Sequence, residues 1–64
     1  MKKMFHQIME FRYTSIKEAE EHIEEMIKDG WSPSMVTVYG NKYVRETGHP
    51  THPFVVEFYK WLID

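Results

Sequence analysis

The most unusual group of reactive side chains is the run His49-Pro50-Thr51-His52-Pro53. In an extended, polyproline-like loop, residues three apart return to the same side. Two imidazoles placed so, with a carboxylate such as Glu46, would offer the nitrogen and oxygen donors that zinc accepts. The set is short of ligands. There is no His-Glu-x-x-His pattern and no cysteine, and His6 and His22 fall on other elements. The simpler reading is a polar loop stiffened by two prolines, with no resident metal or cofactor. Nucleophilic chemistry has no better footing. Ser15 is occupied as a helix cap, and Ser32 and Ser34 flank Pro33 without a Gly-x-Ser-x-Gly context. No glycine-rich phosphate loop is present. Glu10, Glu46 and Glu57 are carboxylates whose pairing in space the spacing does not show. These residues point to a protein that binds rather than catalyses.

A second group interleaves cations with aromatics. Arg12, Lys42, Arg45 and Lys60 alternate with Tyr13, Tyr39, Tyr43, Tyr59 and Trp61. Such a surface could stack single-stranded nucleic acid or a nucleotide. The overall charge is −2, however, and no recognised nucleic-acid-binding motif appears. The charge is also uneven. Segment 15–29 sets six carboxylates against Lys17 and Lys28, a net −4, and leaves +2 for the rest. An acidic helix face could meet a basic surface. The simpler reading, and the preferred one, is a solvated face supported by Lys17–Glu21 and Glu24–Lys28 pairs.

The elements that must position these residues are legible from their periods. Met4 to Tyr13 has a period of two: Phe5, Met9, Phe11 and Tyr13 share a face with Gln7, while Met4, His6, Ile8, Glu10 and Arg12 take the other. Ser15-Ile16-Lys17-Glu18 is a capping box. Ile16, Ala19, Ile23, Met26 and Ile27 then form a helical stripe, and Gly30-Trp31 supplies the stop, with Trp31 folding back onto Met26. A helix over 15–29 follows. Ser32-Pro33-Ser34 suggests a turn, and Met35 to Tyr39 a strand. Gly40-Asn41 suggests a two-residue hairpin leading into Lys42 to Glu46. Alternatively, the chain runs extended through Gly40 and reverses at 48–53. Phe54 to Ile63 favours a strand by composition, although a short helix starting near Pro53 also fits its spacing.

The predicted fold is α+β: a small antiparallel sheet of three or four strands packed on one helix, in the order β-α-β-(β)-β, as one domain over 1–64. At 64 residues such a domain has a thin stability margin, and with no cysteine it has no disulfides. Self-association is a natural compensation. One helix covers only one face of a sheet, yet 54–63 is apolar on both. That predicts a homodimer or partner interface at Val55, Tyr59, Trp61 and Ile63, extended by Tyr39 and Tyr43. No leader or membrane-spanning pattern is seen, so a cytoplasmic location is expected.

The run Ile23-Glu24-Glu25-Met26-Ile27-Lys28-Asp29-Gly30-Trp31, then Val36-Thr37-Val38 and Val55-Val56-Glu57-Phe58, resembles small strand–helix–strand–strand domains of unknown function in bacteria and their phages. The His-Pro loop departs from that pattern. The resemblance implies the fold. In size, aromatic content and lack of cysteine the chain also looks like phage proteins that inhibit a host defence or regulatory protein. That likeness implies a protein-binding role against such a host protein.

Overall fold

The structure is a computed structural model that describes residues 4–63, with side-chain surroundings described over 7–61. These residues form strand β1 (Met4–Tyr13), helix α1 (Ile16–Lys28), and strands β2 (Ser32–Pro33), β3 (Arg45–Glu46) and β4 (Phe54–Ile63). The α+β class is as predicted, and all strand pairs are antiparallel. β4 is central. β1 pairs along its whole length on one side, and the short β2 and β3 share the other. A strand that is apolar on both faces loses most by sitting at an edge, which accounts for the central place of β4. The same pairing resolves the helix alternative for 54–63 in favour of a strand.

The β1–β4 register is unbroken, from Met4 opposite Ile63 to Tyr13 opposite Phe54. Alternation therefore holds throughout, and the two faces can be read by parity. Phe11 and Tyr13 with Phe54, Val56 and Phe58 meet Ala19, Ile23 and Met26 of α1 to form the core. The helical stripe is narrower than its sequence suggests, because Ile16 and Ile27 are exposed. His22 joins the helix-side packing instead, edge-on to Phe11 and Phe58 at centroid distances of 4.6 and 5.7 Å.

Both helix ends follow local chemistry. The Ser15 hydroxyl accepts the Glu18 amide at 3.2 Å. The Glu18 carboxylate accepts the Thr14 hydroxyl at 2.7 Å, where the capping box predicts a return to the Ser15 amide. At the other end, Trp31 N–H donates to the Met26 carbonyl and Gly30 N–H to Ile27, the paired bonds of a Schellman stop. Gly30 sits at φ +88°. Lys60 completes the end: its Nζ donates to the Asp29 carbonyl at 3.1 Å and lies over the Trp31 ring. Gly30→Ala forces a Cβ into left-handed backbone, so it is expected to cost about 1–2 kcal/mol in urea unfolding.

The connection between helix and β4 differs from its prediction. The expected turn at 32–34 is an edge strand, with Ser32 opposite Tyr59, and Ser34 N–H donates to the Glu57 carbonyl. Pro33 is tolerated because an edge strand leaves one side of its backbone unpaired. The expected strand Met35–Tyr39 is a loop, and of Lys42–Glu46 only Arg45–Glu46 is strand. A two-residue Gly40-Asn41 hairpin is not formed. Val36 N–H instead reaches the Lys42 carbonyl across a wider loop, with Gly40 at φ +57°. Short segments take the register that β4 offers, and their β-branched residues do not decide it alone.

Candidate binding surfaces

The face of the sheet away from α1 carries Ile8, Glu10 and Arg12 from β1 and Val55, Glu57, Tyr59 and Trp61 from β4. It has two halves. At one end Ile8 stands opposite Tyr59, with Trp61 diagonal to it. Ile8 is 58% exposed and Trp61 54%, and Tyr59 is half-buried. At the other end the face is charged. Glu10 lies opposite Glu57, an unfavourable cross-strand pair. Arg12 and Arg45 offset it, reaching Glu10 at 3.6 and 3.9 Å.

Arg45 belongs to β3, on the far side of β4 from Glu10. To reach that carboxylate its side chain must cross β4 beside its register partner Val55. Arg12 flanks Val55 from β1. The crossing accounts for Val55 being only 2% exposed on a face that no helix covers.

The predicted interface residues are therefore not one patch. Tyr59 and Trp61 lie together on this face. Val55 is on the same face but beneath the arginine stems. Tyr43 packs against the helix-side core, and Tyr39 is exposed in the 34–44 loop, a segment tied to α1 by Asn41 donating to Glu20. Ile63 pairs with Met4 in register, and its side chain lies outside the described residues.

The predicted cations are equally dispersed. Arg12 and Arg45 converge on Glu10, Lys60 caps the helix, and Lys42 belongs to the loop. The two loop histidines do approach, with ring centroids 6.0 Å apart. His49 Nδ1 accepts the backbone amides of His52 at 3.0 Å and Thr51 at 3.3 Å, so it closes the turn. Among the described residues no group of three or more His, Cys, Asp or Glu is arranged to hold a metal.

A feature that the periodicity did not single out is the Tyr13–His22 pair. The Tyr13 hydroxyl bonds His22 Nδ1 at the rim of the core. Burial, and secondly the Glu18 carboxylate, push the Tyr13 phenol up to about 12 from 10.0. The hydroxyl and the ring nitrogen satisfy each other where the core meets solvent. The available signal was His22 falling three residues after Ala19 and four before Met26, on the buried side.

Because the folded-state value is raised, the corresponding stability is fully present below pH 10. It is lost as pH rises through about 12. Urea unfolding is expected to show a fall in stability across that window. Tyr13→Phe should lack this tyrosine's share of the alkaline slope.

No helix among the described residues is long and apolar enough to cross a membrane. Comparison of the chain with protein-family models, with curated proteins and with solved structures gives no match.

Proposed function

We propose that the protein is a non-catalytic protein-binding module, and that a second copy of the chain packs on the open end of its sheet. It would act on a host or regulatory protein. The observation that supports this is the cluster of Ile8, Tyr59 and Trp61 on a face that no other element covers among the described residues. Large apolar and aromatic groups exposed together are the usual composition of an interface centre, and the paired Glu and Arg beside them form a polar rim. Single-stranded nucleic-acid or nucleotide binding has less support, because the four cations are spread over three regions and two of them are engaged by Glu10.

Sedimentation of untagged protein over a wide concentration range tests the reading, alongside a labelled single-stranded oligonucleotide titrated at several salt concentrations. A dimer that persists in high salt, with no oligonucleotide binding, is expected. A monomer at every concentration that binds oligonucleotide with a steep salt dependence would replace this reading with the nucleic-acid one.

A further inference from the structure

Strand β1 is ten residues long and pairs only with β4, so among the described residues its outer edge has no partner. A row of free backbone donors and acceptors of that length is a template for another strand. Two hollows run beside it. One is lined by Phe11, Arg12 and Tyr13, the other by Gln7, Ile8 and Met9. Each takes three consecutive residues of β1 and a wall from the helix side of the sheet, so both lie where the helix layer meets the strand.

The opposite walls differ in chemistry. Beside 11–13 the wall is the exposed helix flank with Glu18, Glu21 and Glu25. Arg12 does not neutralise it, since its guanidinium is directed to Glu10 on the far face. Beside 7–9 the wall is Trp31, with Met9 partly exposed next to it. The helix spans about 20 Å and β1 about 33 Å, so the helix ends before the strand does and Trp31 takes over as the wall.

We infer that this edge binds an extended basic segment of another protein as an added strand. The two hollows are centred on Ile8 and Arg12, four residues apart. Side chains on one face of a strand repeat every two residues, so the bound segment would carry an apolar residue against Trp31 and Met9. Four places along, it would carry a lysine or arginine against the three glutamates. A second copy of β1 fits poorly, because its helix-side residues Gln7, Met9, Phe11 and Tyr13 include no cation to meet the glutamates. A phosphate backbone would meet the same carboxylates. The inference rests on the reading of the chain as a binding module, but uses a different surface from the Ile8–Tyr59–Trp61 cluster.

The probe is a fluorescein-labelled synthetic peptide of β-forming residues with leucine and arginine four places apart, read by anisotropy. Binding is expected to weaken with salt. N-methylation of the peptide amides facing β1 should weaken it about tenfold or more, whereas methylating the opposite edge should not. Glu21→Gln with Glu25→Gln, both exposed and tolerant of change, should weaken it several-fold. Trp61→Ala should leave it unchanged. A peptide that does not bind, or binds regardless of which edge is methylated, overturns the inference. So does binding that disappears as protein concentration rises, because a second copy then holds the edge. If the peptide fails while the Trp61 face still self-associates, the edge proposal falls and the binding-module reading stands.

Discussion

Phe58→Ala is expected to remove about half or more of the folding stability at 25 °C. Phe58 is fully buried at the middle of the central strand, opposite Met9 on one side and Pro33 on the other. Its ring stands edge-on to Phe11 at 5.9 Å and to His22 at 5.7 Å. It is thus the point where β1, β2 and α1 meet. Truncating a buried phenylalanine typically costs about 3–5 kcal/mol, part transfer and part cavity. A domain of this length has a total stability on the order of 3–10 kcal/mol. Far-ultraviolet circular dichroism with urea titration should show the Phe58→Ala transition at a far lower urea concentration than that of the wild type. Phe58→Leu keeps most of the volume and should retain a cooperative transition at a lower midpoint. An alanine variant with the wild-type midpoint would mean that the helix does not pack where this fold places it.

Trp61→Ala is expected to raise the dissociation constant of self-association about thirtyfold or more, the equivalent of about 2 kcal/mol. The indole lies on the face without a helix and is half exposed in the single chain. Its removal should therefore change monomer stability little, measured at concentrations where only monomer is present. Ile8→Ala should act in the same direction with a smaller effect, since Ile8 is diagonal to Trp61 on the same face. Tyr39→Ala serves as the comparison. Tyr39 is 81% exposed, but it belongs to the 34–44 loop that is tied to the helix. If Tyr39→Ala weakens association and Trp61→Ala does not, the interface is the loop and the sheet face is free. Equilibrium sedimentation of the three variants separates these cases.

The helix was legible almost to the residue because its signals are local. Ser15, Glu18, Gly30 and Trp31 act within one turn of the helix ends, and each finds its partner by backbone geometry alone. The first long strand was legible for a related reason. A period of two over Met4–Tyr13 survives whatever partner is chosen, whereas Phe54–Ile63 also fitted a short helix and became a strand only by pairing with β1. The stretch between them was not. Met35–Tyr39 has strand-like residues but no position on β4, whereas Ser32–Pro33 and Arg45–Glu46 have poor strand composition and do pair with it. Pairing is decided by what edge is within reach after the helix has docked, and composition carries no record of that.

The candidate surfaces divide in the same way. Given a strand at 54–63, one open sheet face with Tyr59 and Trp61 on it follows from a single amphipathic helix and strand parity. The sequence alone determined this much, because both are properties of short segments. Only the tertiary structure decided that Val55 is shielded by arginines from two other strands and that Lys60 serves the helix end. It likewise decided that His22 belongs to the core beside Tyr13, and that the long outer edge of β1 runs past an acidic flank. Each of these depends on residues far apart in the chain meeting across the sheet. Such meetings are set by strand order and register, and those emerge only when the whole chain has packed.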